Sequence, residues 1–190
     1  YSGTTSTTTP GPVPVVPGAD WEMGDAAELG LDADAVTAFV DSLFEFEAIQ
    51  GVMVARHGYI VEERYTEGWD MNSPASGWSL SKSMHSAALG IAIDEGLIGS
   101  VDDLVSDYIT EWQGTEKESM TIRNLLEMRS GLFNDLYAPF FVPDLMAYSI
   151  DLPLAAEIDS VFDYNNVNTL LFAEIIERTS GMTSADYLVE

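Results

Sequence analysis

The chain has 190 residues, 46% of them apolar and 11% aromatic, enough to bury a sizeable core and too apolar for wholesale disorder. Thirty-two acidic residues stand against seven basic ones, a net charge of −25 that repels phosphate backbones and anionic membrane surfaces and so excludes a nucleic-acid binder. Cysteine is absent, which removes disulfides, thiolate metal sites and a cysteine nucleophile, and no apolar run reaches the ~18 residues of a membrane span. The acidity fits either a device for solubility or a salty habitat in which self-repulsion is screened.

Residues 1–20 are rich in Thr, Ser, Gly and Pro, with prolines at 10, 12, 14 and 17. That composition reads as a flexible or polyproline-like tail, either a tether for a secreted domain or simply a disordered end. The first residue is Tyr1 rather than methionine, so a preceding segment is expected. From Trp21 the composition turns globular. Asp32 is placed to cap a helix whose apolar face is Val36, Phe39, Val40, Leu43 and Phe44. Gly51 to Tyr65 reads as two strands around a turn at His57-Gly58. Residues 67–78 form a loop, and Ser79 to about Glu95 a strongly apolar helix stopped by Gly96.

Ser100 and Asp103 have the spacing of a capping box for a short helix. Thr121 to Ser130 reads as a further helix with Gly131 beyond its end. Residues 132–163 are irregular, Val167 to Ser180 is an amphipathic helix ended by Gly181, and Ser184 caps a last one. A single hairpin is marginal as a sheet, while several apolar helices need something to pack on. Further strands are therefore expected after Glu190.

Histidine occurs only as His57 and His85, without HExxH, and Asp32-Ala33-Asp34 lacks the glycine and distal glutamate of a calcium loop, so no metal site is expected. Phosphate-loop motifs are absent too. Gly77-Trp78-Ser79-Leu80-Ser81 nearly matches the G-x-S-x-G elbow. No histidine follows His85, however, so a Ser-His-Asp triad cannot be assembled from these residues.

Ser79-Leu80-Ser81-Lys82 carries more. In S-x-x-K at a helix start, a spacing of three puts Ser79 and Lys82 on one face. The helix N-terminus favours a developing alkoxide. The apolar run behind Lys82 predicts partial burial that disfavours the ammonium, which equips a lysine as base or proton relay for a serine. The only other lysine, Lys117, is expected in a polar loop. The alternative is a chance S-x-x-K. Tyr164-Asn165-Asn166 is the second signal. A tyrosine beside a cation can act as a base, and Asn166 can orient a lysine or substrate. Against that, Asn166 is also a good helix N-cap.

Taken together, Ser79-x-x-Lys82 followed some eighty residues later by Tyr164-x-Asn166 resembles the serine β-lactamase-like and penicillin-binding-protein-like superfamily. The branch it is most similar to is that of class C β-lactamase-related esterases and 6-aminohexanoate-dimer hydrolases. Val52 to Gly58 with Val61 to Arg64 resembles the family's first hairpin, and Lys82-Ser83 with Ala88 to Leu97 its central helix. Val101 to Leu104, Thr121 to Leu126 and Ser130-Gly131-Leu132 follow in the family's order, so the likeness runs over roughly 30–190. Arg129 departs from the family's usual threonine, and His85 from a smaller residue. The third motif, Lys-Thr-Gly or His-x-Gly on a later strand, is absent.

The resemblance implies an α/β (α+β) fold: an antiparallel sheet flanked by helices, plus a helical subdomain carrying Tyr164. In this reading 21–190 is the N-terminal part of a serine hydrolase domain, completed by a C-terminal segment. It implies acyl transfer through Ser79, with Lys82 and Tyr164 moving the proton and Asn166 orienting Lys82 or substrate. The substrate is then a small ester or amide such as a β-lactam, a D-amino-acid peptide or a 6-aminohexanoate amide. No cofactor is implied, and the setting is secreted, periplasmic or tethered to the cell surface. Which of Lys82 and Tyr164 is the base stays open. The rival expectation is a β-lactamase-like module that has lost catalysis and serves in binding or regulation.

Overall fold

The structure, a computed structural model, describes residues 13–18, 20–135, 137 and 141–189. The tail expected over 1–20 therefore lies largely outside the described residues. Within its described part, Val15 N–H donates to the His57 carbonyl at 2.9 Å. The chain divides into two compact units, 1–76 and 77–190.

In the first unit, α1 spans Ala33–Leu43. Asp32 is its N-cap, accepting from Ala35 N–H at 3.1 Å. Only Val40 of the predicted apolar face is buried within this helix, and Phe39 stays 55% exposed. Strands β1 (Gly51–Arg56) and β2 (Tyr59–Tyr65) pair antiparallel from Gly51↔Tyr65 to Arg56↔Tyr59, with a register shift between Val54 and Ala55. The two-residue turn has φ of 54° at His57 and 86° at Gly58, the left-handed pair that matches strand twist. A Cβ on Gly58 would fall 2.0 Å from the Val15 carbonyl oxygen, so the close approach requires glycine there. Arg64 of β2 bonds Asp41 of α1 and stacks 5.7 Å from the Phe44 ring.

The second unit holds α2 (Leu80–Asp94), α3 (Ile122–Leu126), α4 (Leu145–Asp151), α5 (Asn166–Ser180) and α6 (Ser184–Val189). Short 3₁₀ turns cover Val105–Asp107 and Thr110–Trp112. Helix α5 is the hub, packing against α2, α3, α4 and α6. Its Val167, Leu171 and Ile175 recur every four residues, and all enter a core with Leu89, Ala92, Ile109, Trp112 and Leu125. Each such aliphatic side chain contributes about 1.5–3 kcal/mol on burial. Gly181, at φ 74°, closes α5 in the left-handed conformation.

Several expectations are corrected. Ser100 Oγ does donate to Asp103, but a turn and a 3₁₀ segment follow rather than an α-helix. The helix begun by the Thr121 capping box ends at Leu126, not Ser130, because Met128 adopts φ 56°. A helix, α4, lies inside the stretch read as irregular. Thr183, not Ser184, accepts from the first turn of α6 through Asp186 N–H. Lys117 is buried rather than in a polar loop: its Nζ donates to the Ile150 and Leu152 carbonyls at the end of α4 and lies 4.9 Å from the Trp112 ring. Desolvation pushes its ammonium below the ordinary lysine range.

The architecture is mixed α/β, helices with a small antiparallel sheet. Among the described residues no helix is long and apolar enough to cross a membrane.

Candidate active site

Two helix starts build the site. Before α2 the chain turns sharply: Trp78 has φ 44°, and Leu80 N–H and Ser81 N–H close successive turns onto the Gly77 and Trp78 carbonyls. A non-glycine residue in that region costs on the order of 1 kcal/mol or more, and such strain collects at functional sites. Ser79 is the N-cap of α2, yet its side chain makes no capping bond. Its Oγ is thus left for other partners. Lys82 follows one turn later on the same face.

The second start is that of α5. Asn165 is its N-cap, accepting from Val167 N–H at 3.0 Å, so the capping role considered for Asn166 belongs to its neighbour. That leaves the Asn166 amide free to face α2 and the phenol of Tyr164 to project beside it. Lys82 Nζ donates to Asn166 Oδ1 at 2.8 Å and to Ser79 Oγ at 3.3 Å. The Tyr164 hydroxyl donates to Ser79 Oγ at 2.8 Å. Lys82 Nζ also lies 4.7 Å from the Tyr164 ring centroid, within cation–π range. All four residues singled out from the sequence therefore meet, across 84 and 85 residues of chain.

The surroundings differ from the sequence reading in one respect. Lys82 is half-buried, but Leu80, Met84 and Ile91 of α2 are 52–62% exposed; only Ala88, Leu89 and Ala92 of that helix are buried. Polar partners, not an apolar sleeve, surround the ammonium. The Tyr164 phenol feels these partners. Its hydrogen bond with Ser79, then that with Lys82 and the lysine charge, hold its phenol below the ordinary tyrosine value of 10. A serine hydroxyl held between a cation and a phenol whose ionised form is favoured by its partners can give up its proton to a neighbour as it attacks a carbonyl.

Sequence reading missed the residues that hold this corner. Asn165 Nδ2 donates to the Leu132 and Phe133 carbonyls, and Asn168 Nδ2 to the Leu125 carbonyl, while Asn168 Oδ1 accepts from the buried Ser130 hydroxyl. Asn134 Nδ2 reaches Asp163 Oδ1 and the Tyr164 carbonyl, each at 3.0 Å. The signal available was Asn165 and Asn168, polar residues three apart on an otherwise apolar face; Asn134 gave none. His85 stays on its own helix, 2.8 Å from the Ser81 carbonyl. Arg129 bonds Asp159 through both its carboxylate and its main-chain carbonyl, fixing the loop before Tyr164.

The model of the beta-lactamase family matches residues 36–190. No curated protein matches the sequence. Among solved structures the chain is similar to a candidate 6-aminohexanoate-dimer hydrolase from Bacillus anthracis, with 21% identity and a TM-score of 0.62 over 77% of this chain and 44% of that one. It is similar to the octameric penicillin-binding protein homologue from Pyrococcus abyssi, with 22% identity and a TM-score of 0.64 over 84% and 42%. It is also similar to a class C beta-lactamase from Rhodobacter sphaeroides, with 22% identity and a TM-score of 0.63 over 82% and 47%. At these identities the likeness is one of fold, and the chain spans less than half the length of each of the three.

Proposed function

The chain belongs to the beta-lactamase family, and on that premise we propose that it carries the nucleophile and proton-transfer half of a serine hydrolase cleaving a small ester or amide. The observation that carries the reading is Ser79 Oγ lying within hydrogen-bond reach of both the Tyr164 phenol, at 2.8 Å, and Lys82 Nζ, at 3.3 Å. Tyr164, already lowered toward ionisation, is the general base, and Lys82 is the cation that stabilises its phenolate. The ionised phenol accepts the Ser79 proton as Oγ bonds to the substrate carbonyl carbon. The carbonyl electron pair moves onto oxygen. The Ser79 amide at the start of α2 contributes one oxyanion donor, a contribution of about 3 kcal/mol in comparable sites. Collapse of the tetrahedral adduct breaks the bond to the alcohol or amine, which leaves with the proton held by Tyr164. Water then gives a proton to the same phenolate, attacks the acyl carbon and breaks the bond to Oγ, which recovers its hydrogen. Asn166 keeps Lys82 directed at Ser79.

The substrate class is a small ester or amide, with β-lactams, D-amino-acid peptides and 6-aminohexanoate amides as the members to try. In this proposal 21–190 is the N-terminal part of the hydrolase domain, a C-terminal segment supplies the opposite wall of the site, and the protein works outside the cytoplasm. An inactive binding module is the rival reading. The survival of Ser79, Lys82 and Tyr164 in mutual contact favours the enzyme. Incubating the native protein with a fluorophosphonate and mapping the adduct decides between them. The expected result is a single adduct on Ser79, lost in Ser79→Ala. A native protein that stays unlabelled, or an adduct that persists in the alanine variant, removes the assignment.

A further inference from the structure

We propose that Asn134 is a positioning residue: by clamping the main chain of Tyr164 it holds the phenol against Ser79 and Lys82. The inference rests on the reading of Tyr164 as the base, and begins from how firmly Asn134 itself is placed. Leu132 is buried and bridges antiparallel to Leu154. Phe133 N–H donates to the Pro153 carbonyl at 2.9 Å, and the Leu132 and Phe133 carbonyls both accept from the buried Asn165 amide. Asn134 is therefore the next residue on an anchored strip.

From there its Nδ2 spends both hydrogens on the segment that carries the phenol, one on Asp163 Oδ1 and one on the Tyr164 carbonyl, each at 3.0 Å. The amide has only one workable orientation. Turned over, its carbonyl would face a carboxylate and another carbonyl, both acceptors. In the orientation present, Oδ1 is buried without a partner among the described residues, an arrangement that is costly by itself. A leucine-sized apolar side chain would avoid that cost but could donate nothing to Tyr164.

Tyr164 precedes the N-cap of α5 and so lies outside the helical ladder. Its oxygen stands about 6.5 Å from its Cα, so a main-chain rotation of about 10° displaces it by about 1 Å, a misplacement that can cost ~100-fold in rate. Among the described residues the groups placed against the phenol are Lys82 and the Ser79 hydroxyl, both from α2; the carboxylate next to it in sequence is that of Asp163. Asn134 binds the last of these and keeps its carboxylate occupied.

The test reads the phenol itself, in protein labelled with 13C-tyrosine, with Tyr164→Phe assigning the signal. Wild-type Tyr164 is expected to titrate below 10, and Asn134→Leu to raise its midpoint by about half a unit or more with the fold retained. An unchanged midpoint in folded Asn134→Leu overturns the proposal. Should that variant fail to fold, Asn134→Ser, too short to reach Tyr164, is read in the same way. Freeing the Asp163 charge would also raise the midpoint, so the pair is combined: with Asp163→Asn as background, Asn134→Leu still raises it if the clamp works by position. No rise in that background overturns the positional role. Because the readout is the phenol's own titration, it is independent of whether Ser79 is acylated.

Discussion

Four side chains make the site, and each can be removed with a different expected signature. Tyr164→Phe keeps the ring that Lys82 faces and removes only the proton acceptor. Acylation of Ser79 should fall by ~100-fold or more while the melting temperature barely moves. Lys82→Met removes the cation but keeps a stem of similar length. Since the ammonium stabilises the phenolate, its loss should raise the Tyr164 midpoint, as should Ser79→Ala, which removes the first cause of the depression. NMR titration of the phenol in each variant checks both. At this scale the sequence was informative: S-x-x-K names two residues that a helix start brings to one face, and Y-x-N names two that flank the N-cap of the next helix. It was silent on Asn134, and it placed Lys82 as partly buried, as the structure has it, but for a different reason. An apolar run behind a lysine predicts an apolar neighbourhood only if that run is itself covered, and Leu80, Met84 and Ile91 remain exposed among the described residues.

Helix α5 does the most work among the elements, and its polar face is as specific as its apolar one. Asn168→Leu keeps the branched skeleton but removes the acceptor of the buried Ser130 hydroxyl and one donor to the Leu125 carbonyl, and its two methyl groups are bulkier than the amide, so about 2 kcal/mol or more should be lost on denaturant unfolding. The C-terminal end of α5 is tied by Arg178, which forks onto Glu111 and also bonds Glu174. The Glu111 carboxyl is held down to about 2, with Arg178 the largest cause. A depressed carboxylate stabilises the fold above its unfolded value and loses that contribution as pH falls through the folded one. Arg178→Gln should therefore cost at most about 1 kcal/mol at neutral pH, both partners being partly exposed, and the gap from wild type should close between roughly pH 4.5 and pH 2. Equal unfolding curves at neutral pH would contradict this. Helix ends were legible where a cap or glycine marked them, as at Asp32, Thr121 and Gly181. They were not legible where a non-glycine residue took positive φ, as Met128 does, because nothing in the residue type announces it. Helix α4 escaped notice because seven residues give too little periodicity, and much of its anchoring comes from Trp112 and Lys117 far away in sequence.

At the scale of the whole molecule the excess of acid dominates. Four of the seven basic residues, Arg64, Arg123, Arg129 and Arg178, are already paired with carboxylates, and each unit by itself carries far more acid than base. Net repulsion then outweighs the few exposed pairs, and screening should stabilise the fold. The melting temperature is expected to rise as sodium chloride goes from about 0.05 to about 1 M, over which the screening length falls to about 3 Å. A fall would mean that the ion pairs matter more than the surplus charge. Composition alone carried this expectation. The chain order of hairpin, central helix and Tyr164 helix was likewise readable, since each has local marks.

The account's central claim is that Tyr164, tuned by Ser79 and Lys82, takes the proton from Ser79. The most direct measurement is the rate of Ser79 labelling by a fluorophosphonate in the native protein across pH, set beside the NMR titration of Tyr164, in wild type and in Lys82→Met. The rate should climb along the Tyr164 titration curve, and both should move to higher pH together in the variant. A labelling rate that ignores pH over that range, or one whose profile stays put while the Tyr164 titration moves, would contradict it.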